Sequence, residues 1–199
     1  MKSSKQRLCV LFAGNMGAGK DTAANMLADV CRDRNISNLR MAFADPIKEI
    51  AVHLFGIPKE TSYGTQQDKL DFHVYEKTAR HWLQWIGTEL GRQQVHEDIW
   101  VHRFVDRALS SDARVVIGSD CRFRNEMKLM RELLEGEMRL LIVKIVNPRV
   151  PVNLEHQSES EIYNIPEGDF DLALHNTKGL SDLMGDIEDY ADEVLGIVA

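Results

Sequence analysis

Residues 14–22 read Gly14-Asn15-Met16-Gly17-Ala18-Gly19-Lys20-Asp21-Thr22, and their types and order suit the handling of phosphate. Glycines let backbone N–H groups turn inward around anionic oxygens with no side chain in the way. A lysine directly after the last glycine adds a full positive charge for β- and γ-phosphates. Such a loop works best where it opens a helix, whose N-terminus brings partial positive charge to the same point. The flanks supply that frame. Leu8–Ala13 is an apolar run that reads as a buried strand, and Ala23–Val30 reads as a helix. Strand, glycine loop, lysine and helix is the order of a P-loop. In most such loops a Ser or Thr follows the lysine and its hydroxyl binds Mg²⁺. Here Asp21 follows. A carboxylate is a hard oxygen ligand and can hold Mg²⁺ directly or through water. It can equally be a first-turn acid that complements the helix dipole. Thr22 lies one step further round the helix and is the weaker candidate.

Other residues could join this chemistry. Asp120-Cys121-Arg122 closes the hydrophobic run Arg114–Gly118. An acid at a strand end can position Mg²⁺ through water or hold substrate, and it can also cap the helix that follows. Arg122 would then stand within reach of transferring phosphates. Arg80, Gln84, Thr88 and Arg92 recur every four residues, which places them on one stripe of a helix. Two arginines with an amide and a hydroxyl suit a phosphate and a base edge. A solvated polar face reads the same way. Lys48 follows the second strand and suits a monophosphate or solvent. Trp100 opens a helix, where it could stack on a base or staple the helix. His156-Gln157-Ser158-Glu159 offers too few ligands for a metal centre, and no Gly-x-Ser-x-Gly elbow is present for a hydrolase.

The elements that must position these groups alternate. Strands are expected at Leu8–Ala13, Leu39–Ala44, Arg114–Asp120, Leu140–Val146 and Phe170–His175. Helices are expected from Lys20 to Arg34, over Ile47–Leu54 (with Asp45 as N-cap and Pro46 first in the helix), from Lys77 to Gln94 across Gly87, from Ile99 to Leu109, over 123–135 and over 180–195. Residues 57–75 and 147–169 read as polar, irregular excursions. This pattern predicts an α/β fold, a mostly parallel sheet with helices on both faces. Ligands of such sheets lie beyond the carboxyl ends of the strands, the edge at which the loop, Asp45, Asp120 and Asn147 all fall.

Composition sets bounds. The chain has 199 residues, 44% of them hydrophobic, enough for one packed α/β domain with a small insert. A net charge of −7 argues against a long basic groove for a nucleic acid polymer. Cys9, Cys31 and Cys121 are odd in number and scattered, and they read as core residues in a reducing cytoplasm. The polar Met1–Arg7 segment is followed by an apolar run that reads as too short for a signal or membrane span, so a soluble intracellular protein is expected.

Together these segments resemble the phage deoxynucleoside monophosphate kinases, a branch of the P-loop nucleotide kinases. The resemblance covers nearly the whole chain. It is carried by residues 14–22, Phe-Ala-Asp-Pro-Ile-Lys (43–48), Leu-Gln-Trp-Ile-Gly-Thr-Glu-Leu-Gly-Arg (83–92) and Asp-Ile-Trp-Val (98–101). It continues through Ser-Asp-Cys-Arg-Phe-Arg-Asn-Glu (119–126), His-Gln-Ser-Glu (156–159) and Asn-Thr-Lys-Gly (176–179). The Lys-Asp-Thr ending looks usual for this group. The resemblance implies a single three-layer P-loop kinase domain with a five-stranded sheet, a monophosphate-binding helical insert at about 45–110 and a lid at about 147–169. It implies γ-phosphoryl transfer from ATP, with Mg²⁺, to a deoxynucleoside 5′-monophosphate. Lys20 and Arg122 would be catalytic. Gly14, Asn15, Gly17, Ala18, Gly19, Lys20, Asp21, Thr22, Asn176 and Lys178 would bind ATP. Lys48, Arg80, Gln84, Thr88, Arg92, Trp100 and Asp120 would bind the acceptor. Arg149, His156, Ser158 and Glu159 would belong to the lid, and Asp21 and Asp120 would hold the metal. A homodimer is left open, and the host cytoplasm is the expected place of a phage enzyme. Two rivals stand beside this reading. One is a P-loop kinase for another phosphorylated acceptor, of the phosphomevalonate or dephospho-coenzyme A kind. The other is a nucleotide-binding switch, which would bind nucleotide without acceptor-dependent consumption.

Overall fold

The structure is a computed structural model and describes residues 6–151, 157–177 and 179–195. Five strands, β1 (Leu8–Ala13), β2 (Asn38–Met41), β5 (Val115–Cys121), β6 (Arg139–Val146) and β7 (Leu172–His175), form one sheet in the order β2-β5-β1-β6-β7. Every neighbouring pair is parallel. Parallel pairing explains why β1 and β6 read as unbroken apolar runs, because both faces of such a sheet are covered. Leu8, Val10 and Phe12 pack in one core with Leu27, Val30 and Cys31 of α1 (Lys20–Asp33) and with Leu183 and Ile187 of α9 (Leu180–Leu195). Alternate residues point to the opposite face, and there Cys9, Leu11, Val116 and Ile142 are fully buried. α7 (Arg124–Leu134) packs on β6. The α/β layered fold expected from the sequence is the one observed, and all three cysteines are buried and unpaired.

The chain forms two compact units, one of residues 1–42 with 105–199 and one of residues 43–104. The second unit differs from its sequence reading in three places. The expected excursion over 57–75 contains two short helices, α3 (Lys59–Tyr63) and α4 (Gln66–Asp71), followed by a small hairpin of β3 (His73–Val74) and β4 (Lys77–Thr78). Thr65 caps α4 reciprocally with Asp68: its side chain accepts the Asp68 N–H, and Asp68 accepts the Thr65 N–H. Helix α2 (Asp45–Phe55) starts one residue early. Ala44 is its cap and Asp45 is already helical, so Asp45 is not the N-cap. The expected helix over 77–94 is α5 (Ala79–Trp85) running into a π-helical segment, Ile86–Val95. Phe55 stacks on Trp82 with centroids 4.4 Å apart, and Trp85 meets both edge-on. These indoles are packing residues of the unit.

In the first unit the expected loop over 147–169 holds α8 (Gln157–Asn164) and a 3₁₀ turn, Glu167–Asp169. Helix α6 (Ile99–Ser110) carries the chain back from the second unit. Among the described residues, no helix is long and apolar enough to cross a membrane.

Candidate active site

The loop that leaves β1 is shaped by a close approach. Gly14 has φ +139°, and a Cβ there would lie 2.4 Å from the Ile145 carbonyl oxygen of the neighbouring strand. Only glycine lets the chain turn at this point against β6. Gly14→Ala is therefore expected to destabilise the protein by about 3 kcal/mol or more, through overpacking against backbone that cannot give. Gly136→Ala is the control. Its φ is +79° and nothing lies within 4 Å of the new Cβ, so only left-handed strain remains, about 1 kcal/mol. Urea midpoints of the two variants check the difference.

After the turn, Gly19 precedes α1 and, among the described residues, no side chain caps the helix. First-turn N–H groups at a helix end suit an anion. Lys20 follows and is buried, 6% exposed. Its ammonium donates to the Asn15 carbonyl at 2.7 Å, within its own loop. Burial pulls the Lys20 pKa down to about 8, Arg122 pushes the same way, and Glu159, Asp21 and Asp120 oppose them. Lys20, Asp21, Asp120, Arg122 and Glu159 therefore share one electrostatic neighbourhood at the carboxyl ends of β1 and β5.

β5 reaches this place through an irregularity. Leu11 pairs with Gly118, but Ala13 pairs with Cys121, so β5 carries an extra residue. Bulges re-aim side chains beside functional sites, and this one holds Ser119 and Asp120. The Ser119 hydroxyl donates to Asp21 at 2.7 Å, and Arg40 pairs with the same Asp21 oxygen at 2.7 Å. Asp120 is half-buried and lies within the strand. It is not a helix cap, because Phe123 occupies that place. The Glu126 carboxylate instead accepts the N–H groups of Arg122 and Phe123, at 2.9 and 3.1 Å, which fixes the turn that carries Arg122.

Glu159 on α8 ties these parts together. Its side chain is 4% exposed, and it pairs with Arg122 at 2.7 Å. Its second oxygen accepts the Met16 N–H at 2.7 Å and the Asn15 amide at 3.0 Å. Burial works to raise the Glu159 pKa, yet the bonds from Met16 and Asn15 and the charges of Arg122 and Lys20 outweigh it and hold the carboxyl below its ordinary range. The carboxylate thus sits on donors of the glycine loop, the groups that suit a phosphate.

The remaining expected nucleotide residues fall in several ways. Gly17 and Ala18 complete the loop, and Thr22 is half-buried in the first turn of α1. Asn176 is buried with both ends of its amide engaged. It donates to the Ala18 carbonyl at 3.2 Å and accepts from Arg149 at 3.2 Å. It braces the loop, so it is not turned toward a base. Arg149 is held by that contact and by Asn147. His156 and Lys178 lie outside the described residues, as does the side chain of Ser158. A cavity of about 420 Å³ adjoins the loop, lined by Asn15, Met16, Ala18, Lys144, Asn147 and Tyr163 among others.

The expected acceptor residues other than Asp120 belong to the unit 43–104. Arg80 and Gln84 lie on α5, and Thr88 and Arg92 lie on the π-helical segment. In an α-helix four residues overshoot one turn by about 40°, whereas the wider i→i+5 turn holds about 4.4 residues, so four undershoot it. The switch from α to π therefore limits the drift of the stripe. Lys48, Arg80 and Gln84 line one cavity of about 240 Å³. Lys69 lines it too, a residue that the sequence reading missed because it lay in the supposed irregular segment. The Thr65-x-x-Asp68 capping pattern was the signal for its helix. Trp100 requires a correction. It is 5% exposed, its indole N–H donates to the Gly87 carbonyl at 2.8 Å, and its ring packs against Gly91. It supports the stripe from beneath and does not present an open stacking face.

No protein-family model matches this chain. A protein of Acanthamoeba polyphaga mimivirus, provisionally named deoxynucleotide monophosphate kinase, is 32% identical over 187 residues, covering 87% of this chain and 91% of its own. The deoxynucleoside-5′-monophosphate kinase of Escherichia phage T5 is 29% identical over 208 residues, covering 75% of this chain and 82% of its own. Among solved structures, the APS kinase of Mycobacterium tuberculosis in complex with AMPPNP and APS aligns with a TM-score of 0.52 at 13% identity, covering 94% of this chain and 98% of its own. A protein designated APE1195 aligns at 0.56 and 15%, covering 98% of each. The structural likenesses bear on the fold alone. With the glycine loop, Lys20 and Arg122 at one strand edge, and a 32% identical relative matched over most of both chains, this chain belongs to the deoxynucleoside monophosphate kinase family of phosphotransferases.

Proposed function

We propose that the protein transfers the γ-phosphoryl group of ATP to a deoxynucleoside 5′-monophosphate and releases the diphosphate. The observation that carries this reading is the convergence of Lys20, Arg122 and the loop N–H of Met16 on one small region, where the protein's own Glu159 carboxylate already marks an anion-binding position. The transferred group passes through a loose transition state with charge spread over its peripheral oxygens. Positioned positive charge then matters more than a covalent nucleophile. Lys20 would hold the β- and γ-phosphates, and Arg122 would meet the charge on the group in flight. Asn15, Gly17 and Gly19 shape the loop, and the adjoining cavity has room for the donor's nucleoside. On the acceptor side, Lys48 and Arg80 would take the monophosphate, and Gln84, Thr88 and Arg92 would follow the nucleoside along the helix.

The residues present fit Mg²⁺. Asp21, Ser119 and Asp120 offer hard oxygens at the strand edge. Among the described residues, no cluster of three or more His, Cys, Asp or Glu could hold a metal. Mg²⁺ is commonly bound by one or two carboxylates with water and substrate phosphates. When bound, it would neutralise charge on the β- and γ-phosphate oxygens. Arg40 holds the Asp21 carboxylate beside Ser119.

The test is a chromatographic assay with Mg²⁺-ATP and each of the four deoxynucleoside monophosphates, run beside the ribonucleotides and Lys20→Met. Diphosphate from at least one deoxynucleotide, absent in the variant, is the expected result. Bound ATP with no diphosphate from any acceptor would overturn it.

A further inference from the structure

We infer that Lys69 is a binding residue for the acceptor's phosphate, the third cation of a phosphomonoester site formed with Lys48 and Arg80. This rests on the reading of the unit 43–104 as the acceptor-binding part. Four observations carry it. The three cations, with Gln66 and Gln84, line a single cavity. Lys69 is fixed there, since its ammonium donates to the Gly64 carbonyl at 2.8 Å and its helix is locked by the Thr65–Asp68 cap. Lys48 is held over the Tyr63 ring at 4.6 Å. Two of the nearby acids have partners of their own. Asp68 accepts from the Thr65 N–H and hydroxyl, both at 2.7 Å, and Asp71 accepts from Gln67 at 2.7 Å. Asp45 lies 3.9 Å from Lys48, a long contact.

Three like charges around one hollow are unfavourable until an anion joins them. The strain is visible at Lys69, whose pKa is lowered by burial first and then by Lys48 and Arg80, with only Asp68 opposing. A phosphomonoester dianion relieves this repulsion, and the flanking amides offer donors for its remaining oxygens. Without Lys69, and with Asp45 beside Lys48, the site would hold little positive charge to set against a dianion. With it the site binds the dianion in preference to a monoanion.

The experiment measures KM for the best deoxynucleoside monophosphate and for ATP, and calorimetric binding of that nucleotide and of inorganic phosphate, in the whole chain. The variants are Lys69→Met and Lys69→Arg, each with its urea midpoint. Lys69→Met is expected to raise the acceptor KM and Kd about tenfold, leave the ATP KM within twofold, and weaken inorganic phosphate alike. Lys69→Arg is expected to restore most of the loss, which a merely structural role of the lysine stem would not predict. An acceptor KM unchanged in a folded Lys69→Met protein would overturn the inference, and so would an equal loss toward ATP. If the wild type phosphorylates no deoxynucleotide yet binds phosphate or another phosphomonoester through Lys69, the anion site stands and the proposed activity fails.

Discussion

Lys20→Met should lose transfer by about 10³-fold or more and yet fold at least as stably as the wild type. The first half follows from the role proposed for Lys20, a full charge set among the phosphates, where removing one preorganised group costs about 10²–10³ in rate. The second half follows from burial. The Lys20 pKa falls from 10.5 to about 8 because a 6% exposed ammonium sits beside Arg122. That fall corresponds to ~3 kcal/mol of unfavourable charging in the folded state. The folded pKa is below the unfolded one, so the cost is full below pH 8, fades as pH rises toward 10.5, and is gone above it. Methionine keeps the stem and removes the charge, so the variant should be more stable at pH 7 and equal at high pH. Catalysis gives a second readout. kcat/KM for ATP reports the free enzyme and should fall as pH rises through about 8. kcat at saturating ATP should persist to higher pH, because bound phosphates favour the ammonium. A folded, active Lys20→Met enzyme would sink the loop's assigned role.

What could be read from the sequence depended on how local the cause was. The glycine loop, β1 and α1 were legible because strand period, glycine and lysine lie within a few residues of one another. The strand at Val115–Cys121 was legible as an apolar run, but its bulge was not. An extra residue shows only against the partner strand, and the bulge is what brings Ser119 beside Asp21. Glu159 illustrates the same limit. The sequence marked it through a resemblance, but its contacts with Asn15 and Met16 span more than 140 positions, and no spacing rule reaches that far. Lys69 failed differently. Its helix has six residues and no apolar period, so only the Thr65 cap announced it. The π-helical segment after Trp85 has no propensity signature, and the Trp100 ring that packs on its Gly91 comes from the next helix, beyond any local spacing rule. Trp100 itself was legible as important but not in kind, since a packing tryptophan and a stacking one look alike in sequence.

Arg122→Ala is expected to lower kcat by about 10²–10³ while changing the ATP KM little, the signature of a charge that acts on the group in flight. Two features of its setting bear on this. Its backbone N–H is fixed by Glu126, and its guanidinium is tied to Glu159 at 2.7 Å. The arginine is thus held beside the loop by its own contacts, and the proposed role in electrostatic catalysis would draw on that preorganisation. Arg122→Lys should recover little, because an ammonium lacks the planar fork. The same pair complicates a simple truncation, since it leaves the buried Glu159 carboxylate to Met16, Asn15 and the charge of Lys20. Glu159 is held ionised below its ordinary range, so it lends stability at neutral pH that is lost as pH falls. Removing Arg122 should shrink that contribution and lower the urea midpoint. Glu159→Gln in the Arg122→Ala background separates the two effects, because it neutralises the stranded carboxylate. The double variant is expected to regain stability and not kcat. Recovery of kcat would mean that Arg122 serves only to neutralise Glu159, and an undiminished kcat in Arg122→Ala alone would remove the arginine from the chemistry.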